Sequence, residues 1–155
     1  MLWFRVWRPV VLALRHRLRV HEVVRETDGV VSIYVKGRRL ELLGAEAGQC
    51  FRWRFLTRRI WWQAHPFSLS AAPTSQMLRL TVKAVGDHTH ALQRLLPGVH
   101  VIAEGPYGAL TGVQRTRRRV LLVGGGIGIT PLRALLEALP GGPGDITLVF
   151  RGSSS

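Results

Sequence analysis

The chain has 155 residues, 46% of them hydrophobic, which is enough to bury one real core and argues against a disordered tail. Twenty-two Lys and Arg against 9 Asp and Glu leave a net charge of +13, nearly all of it from arginine. Such an excess favours anionic partners: nucleic acid, acidic lipid or phosphate-bearing cofactors. The single cysteine, Cys50, excludes an internal disulfide framework and any multi-thiolate zinc site, fits a reducing compartment, and reads as a small apolar filler in a strand.

Residues Met1 to Val20 mix Trp3, Phe4 and Trp7 with Arg5, Arg8, Arg15, Arg17 and Arg19. Only Pro9 to Leu14 is uncharged between Arg8 and Arg15, far short of the ~20 apolar residues that cross a bilayer. A secretory signal also fails, for want of a long apolar stretch and a small-residue cleavage site. The segment looks like the cytoplasmic end of a spanning helix, with interfacial aromatics followed by positive residues on the inner side. A short basic amphipathic surface helix fits it equally well. Residues 1–17 are therefore set apart as a membrane-proximal basic stub.

From Leu18 the pattern becomes strand-like. Leu18 to Glu26 and Val30 to Val35 flank an Asp28-Gly29 turn, a hairpin signal. Further strands are expected at Cys50 to Leu56, where Phe51, Trp53 and Phe55 alternate with arginines, and at Phe67 to Ala71, Met77 to Val85 and Val99 to Ala103. About five or six such strands predict a small antiparallel Greek-key barrel. Thr89 to Leu96 carries Leu92, Leu95 and Leu96 at helical spacing behind a Thr able to cap, so one helix should close an end of the barrel.

Beyond Gly105-Pro106-Tyr107-Gly108 and a basic connector, Arg115 to Arg119, the pattern switches to strand, loop, helix, strand. Val120 to Val123 is a continuous apolar run of the kind buried on both faces of a parallel sheet. It leads into Gly124-Gly125-Gly126-Ile127-Gly128-Ile129-Thr130-Pro131, then a helix from Pro131 to about Leu139 with Thr130 as N-cap and Pro140-Gly141 as the stop. Ile146 to Phe150 is the second strand, running into Arg151-Gly152-Ser153-Ser154-Ser155. One such unit cannot make a stable doubly wound sheet alone. The expected division is a β-barrel over 18–114 and an incomplete α/β (βαβ) nucleotide-binding segment over 115–155.

Two stretches carry chemistry. Backbone N–H groups in the glycine loop, at the positive end of a helix, can receive a pyrophosphate. The loop is neither the strict dinucleotide fingerprint, since Ile129 stands where a third glycine is required, nor a P-loop, since no Gly-Lys-Ser or Gly-Lys-Thr follows. A tight-packing turn is the structural alternative. The other stretch pairs His65-Pro66-Phe67-Ser68-Leu69-Ser70 with Val82-Lys83-Ala84-Val85-Gly86-Asp87-His88-Thr89. An aromatic, a hydroxyl and cations on neighbouring strands are what a flavin phosphate ester needs: a ring to pack on, a donor for a ring nitrogen, and charge for phosphate. Singly, Phe67 reads as core, His65 as a structural histidine and Lys83 as a solvated charge.

His65-Pro66-Phe67-Ser68, Val82 to Thr89, Gly105 to Gly108 and Gly124 to Pro131 occur in the order and at the spacings of the ferredoxin-reductase superfamily, which the chain resembles from about Trp3 to its last residue. The His-Pro-Phe-Ser form is similar to the ferric reductase and NADPH oxidase branch, and the arginine-rich surroundings resemble actinobacterial membrane members. The resemblance implies FAD and NAD(P)H as cofactors. It makes Phe67, packed on the isoalloxazine, and Ser68, near its reactive nitrogen, the catalytic pair. His65 takes the place of an arginine near the phosphates, Lys83 and Thr89 line the rest of the FAD chain, and Pro66 and Val82 count among the cofactor-binding positions. Gly124, Gly125, Gly126, Gly128 and Thr130 resemble the pyrophosphate site for NAD(P)H. Arg151 and Ser153 fall where relatives select the 2′-phosphate. No metal site is implied.

The same resemblance implies a parent reaction of hydride transfer from NAD(P)H to FAD, then single electrons passed to haem and outward to ferric iron or dioxygen, at the cytoplasmic face of the plasma membrane. The haem-binding membrane helices and the later nucleotide domain, with its Cys-Gly-Pro type motif and C-terminal aromatic, are missing partners of this stretch. The chain is accordingly expected to bind FAD with little NAD(P)H oxidation alone. A basic barrel could instead hold single-stranded nucleic acid through Arg52, Trp53, Arg54, Arg58, Arg59, Trp61 and Trp62. Trp61-Trp62 and the N-terminal stub could also dock on acidic lipid or on the membrane domain.

Overall fold

The computed structural model describes residues 16–152, so the expectations for most of the N-terminal stub and for Ser153 lie outside the described residues. Strands β1 (Arg19–Thr27) and β2 (Val30–Lys36) form the expected hairpin, with Gly29 at φ 72° in the turn, a left-handed conformation that glycine takes at no steric cost. β2 pairs with β5 (Met77–Lys83) in unbroken antiparallel register from Val30↔Lys83 to Lys36↔Met77. The period of two then places Val31, Ile33 and Val35 beside Leu78, Leu80 and Val82 in the interior. On the opposite face Ser32 and Thr81 join hydroxyls at 2.9 Å.

The second sheet has the order β4-β3-β6, with β3 (Cys50–Phe55) between β4 (His65–Ser68) and β6 (Val101–Tyr107). Phe51, Trp53 and Phe55 are fully buried while Arg52 and Arg54 take the other face, which is the alternation read from the sequence. Two isolated bridges, Leu69↔Leu80 and Arg19↔His100, join the sheets edge to edge and close the barrel. Helix α1 (Asp87–Leu92) covers one end and buries Leu92, and Leu95 follows it into the core.

Three local expectations shift. Helix α1 starts two residues before Thr89, with Gly86 as N-cap, because the Thr89 hydroxyl accepts the N–H groups of Val85 (2.8 Å) and Gly86 (2.9 Å) from inside the first turn. β4 begins at His65 rather than Phe67, a shift that Pro66 permits only because β4 is an edge strand. β6 runs on through Gly105-Pro106 to Tyr107.

The remaining unit is β7 (Val120–Gly125) parallel to β8 (Ile146–Arg151), with helix α2 (Ile129–Ala138) packed on one face. The apolar run of β7 is buried on that face only: Leu121 and Val123 are 63% and 65% exposed. Thr130 lies within α2 rather than capping it. Gly128 is the N-cap, and the buried Thr130 hydroxyl donates to the Ile127 carbonyl (2.9 Å). Pro131 still falls in the first turn, where its missing N–H costs no helical hydrogen bond.

Leu122, Leu132, Ala134 and Leu135 form a second small core that also includes Ala47 from the barrel. Next to Ala47, Gly48 sits at φ +89°, and a β-carbon there would lie 1.9 Å from the Leu110 carbonyl oxygen and 3.1 Å from the Leu135 side chain of α2, so only glycine fits here. Glu137 of α2 adds a polar tie, accepting the Ala72 N–H (3.3 Å) and pairing with Arg79 (3.5 Å). Among the described residues no helix is long and apolar enough to cross a membrane.

Candidate functional site

Edge strand β4 presents His65, Pro66, Phe67 and Ser68 in succession. It is held on one side by β3 through Cys50↔Ser68, Phe51↔Phe67, Arg52↔Pro66 and Trp53↔His65. The buried Trp53 indole donates to the Phe67 carbonyl at 3.0 Å, tying the middle of β4 to the core. Phe67 packs only partly against that core and stays half-buried. Ser68, Cys50 and Tyr107 form one row across three strands, because Cys50 pairs with both its neighbours. The Tyr107 hydroxyl donates to Glu104 (2.8 Å), which also faces Arg52 (3.5 Å).

On its other side β4 meets β5 at Leu69↔Leu80, supported by the Ser70 N–H donating to the Arg79 carbonyl (2.8 Å). Arg79 returns the contact with its guanidinium, which donates to the Ser70 carbonyl (2.5 Å) and hydroxyl (3.2 Å). Beyond that point, among the described residues, no ladder joins the two strands, and continuing the register past Leu69↔Leu80 sets His65 to Ser68 opposite the end of β5. Lys83 stands exposed at that end of β5. The ring of His88, in the first turn of α1, stacks on His65 with centroids 3.8 Å apart and planes 26° apart, drawing α1 against the start of β4.

Both ring nitrogens of His88 are buried and have no hydrogen-bond partner among the described residues. Burial, and then the charge of the stacked His65, hold its pKa below the ordinary histidine value. A histidine that is harder to protonate when folded contributes stability that is complete above the unfolded value of 6.5 and is lost as pH falls through the lowered folded value. The melting temperature should therefore drop more steeply on acidification in the native chain than in His88→Phe, which keeps a ring but cannot charge. Parallel curves would mean that His88 does not carry this acid sensitivity.

The structure thus sets His65, Phe67 and Ser68 on one strand edge with Lys83 at the facing end of β5, and adds His88, which sequence reasoning placed in the motif but not among the site residues. Nothing in the spacing of His65 and His88 marked them as partners. Val82 offers a ligand only its main chain, since its side chain is in the core. The Thr89 hydroxyl is engaged with Val85 and Gly86 and donates to the Gly86 carbonyl (2.8 Å).

In the glycine loop the roles divide. A β-carbon on Gly124 would come within 2.6 Å of Leu132, so this position serves strand–helix packing. Gly125, Gly126 and Gly128 are exposed at the carboxyl end of β7, with Gly126 at φ +53°. The register pair Gly125↔Arg151 sets the exposed Arg151 beside them. Thr130 lies buried behind the loop with its hydroxyl on Ile127.

Comparison with known proteins gives this arrangement a lineage. A family profile described as an FAD-binding domain matches residues 16–111. The chain is 31% identical over 80 residues to NADPH oxidase 1 of Mus musculus, covering 48% of this chain and 14% of that protein. It is 30% identical over 92 residues to the putative respiratory burst oxidase homolog protein G of Arabidopsis thaliana, covering 47% and 11%. The chain thus spans a small part of the curated relatives it matches. Among solved structures, the cytochrome b5 reductase domain of Ulva prolifera nitrate reductase superposes with TM-score 0.69 at 19% identity, over 90% of this chain and 63% of that one. An NADH-dependent reduced ferredoxin-NADP oxidoreductase gives TM-score 0.67 at 26% identity, over 88% and 49%. With the family profile covering well over half its length, the chain belongs to the FAD-binding domain family, and its sequence is similar to NADPH oxidases and its fold to that of cytochrome b5 reductase.

Proposed function

We propose that the unladdered edge of β4 holds FAD and that the chain is an electron-transfer module, taking reducing equivalents from NAD(P)H toward a membrane haem and on to ferric iron or dioxygen. The observation that carries this reading is the convergence of Phe67, Ser68, His65, Lys83 and the unpartnered ring nitrogens of His88 at one unladdered strand edge. These residues fit a flavin dinucleotide. Buried nitrogens without a partner are costly, and an anionic oxygen would accept a hydrogen bond from whichever of them carries the proton. When bound, FAD accepts a hydride and releases electrons singly.

The protein's own contribution is positional. Phe67 supplies a face for the flavin ring, and Ser68 a hydroxyl for a ring nitrogen. His65 and His88 supply ring N–H donors, and Lys83 charge, for the diphosphate. Trp53 keeps β4 from sliding by its bond to Phe67. The exposed amides of Gly125, Gly126 and Gly128 suit the pyrophosphate of NAD(P)H, and Arg151 beside Gly125 suits a 2′-phosphate. In this assignment residues 18–114 are the FAD unit and 115–155 the start of the nucleotide unit, with the haem domain as partner at the cytoplasmic face of the membrane.

Discrimination between flavins tests the reading. The chain should bind FAD at least ~10-fold more tightly than riboflavin, since charge-assisted bonds to the diphosphate are available only to the dinucleotide. In a His65→Gln, Lys83→Gln variant the two affinities should converge. Equal binding of FAD and riboflavin by the native chain would contradict the diphosphate assignment.

A further inference from the structure

The arginines and tryptophans that follow β3 play no part at the flavin edge, and they gather at one end of the barrel. The Leu56 N–H donates to the His100 carbonyl (2.9 Å), the Val20 N–H to Val99 (2.9 Å) and the Val101 N–H to Leu18 (3.0 Å), so the turn after β3, the start of β6 and the start of β1 meet there. His90 of α1 and Arg94 just beyond it line, with Thr57, Arg58, Arg59 and Leu96, an open cavity of about 510 Å³. Asp87 is the one carboxylate on its wall.

The side chains of Arg58, Arg59 and Arg94 make no ion pair or hydrogen bond among the described residues. Beside them Trp61 and Trp62 meet edge-on at 5.9 Å and are 56% and 55% exposed, and Leu56 and Leu96 are exposed as well. Paired exposed indoles, bare aliphatics and unneutralised arginines on one surface are unusual for a face that meets only water.

We propose that this end of the barrel docks directly on an anionic lipid bilayer. Arg58, Arg59 and Arg94 meet the headgroup phosphates, while Trp61, Trp62 and Leu96 enter the headgroup boundary. Charge complementarity selects an acidic surface, and indole rings suit the interface because one edge is apolar and the other donates a hydrogen bond. The exposed leucines favour a bilayer over single-stranded nucleic acid, whose bases stack on aromatic faces and gain nothing from aliphatic side chains.

The test is co-sedimentation of the full chain with vesicles of phosphatidylcholine alone and with roughly 30 mol% phosphatidylserine added. Binding should require the anionic lipid and fall with added salt. Arg58→Gln with Arg59→Gln should weaken it about twenty-five-fold, at roughly five-fold for each arginine. Trp61→Ala with Trp62→Ala should also weaken it, whereas Arg117→Gln with Arg119→Gln, two exposed arginines of the connector, should change it far less. Circular-dichroism melting checks that each variant is folded. Binding to neutral vesicles as strong as to acidic ones would overturn the proposal, as would equal losses in the connector variant. So would a single-stranded oligonucleotide that displaces the vesicles and is itself released by the Arg58 and Arg59 changes.

Discussion

Trp53→Ala should lower the stability of the barrel by about 3–5 kcal/mol, the range for emptying a buried aromatic site. Trp53 is fully buried at the centre of β3, and its ring lies 5.5 Å from that of Phe51. Its removal leaves a void that Phe51 and Phe55 cannot fill without leaving their own sites. A second loss is local: the Phe67 carbonyl loses its indole donor, and β4 is then held by its ladder to β3, the contacts near Leu69 and the His65–His88 stack at its start. Trp53→Phe separates the two effects. It keeps most of the packing, should cost about 1–3 kcal/mol, and should still weaken flavin retention because the strand that carries Phe67 and Ser68 is freed. Urea unfolding followed by circular dichroism reads the first effect, and retained flavin absorbance the second. A full-strength flavin site in a destabilised Trp53→Phe variant would show that the indole bond does not position β4.

The barrel was legible in the sequence because its strands obey a period of two. Phe51, Trp53 and Phe55 against Arg52 and Arg54, and Leu78, Leu80 and Val82 in β5, announce which face is inward. What escaped the sequence depends on neighbours. Pro66 argues locally against a strand, yet β4 starts at His65 because an edge strand tolerates a missing donor. Thr89 and Thr130 both have the chemistry of caps, but each hydroxyl turns back onto a carbonyl one turn away, and the helices start two and one residues before these threonines.

Val120 to Val123 reads as buried on both faces, whereas α2 covers only one. The pairing of His65 with His88 follows from the Leu69↔Leu80 bridge, a long-range register that no local pattern encodes. The candidate residues on β4 and in the glycine loop were thus readable as consecutive motifs, while His88 and the anchoring role of Trp53 needed the folded chain.

The central claim is that the β4 edge is where the flavin rests, and replacing its two central side chains should have the largest functional effect of any change in the chain. Phe67→Ala removes the ring face, and Ser68→Ala the adjacent hydroxyl. Phe67 is only partly packed on the core, so the double variant should keep a folded barrel while losing the site. The direct measurement is the visible absorbance spectrum of purified chain incubated with FAD and desalted, native and double variant side by side. The account predicts flavin bands that survive desalting in the native chain and are absent from the folded Phe67→Ala, Ser68→Ala variant. Equal flavin retention by the two, or none by the native chain, would contradict it.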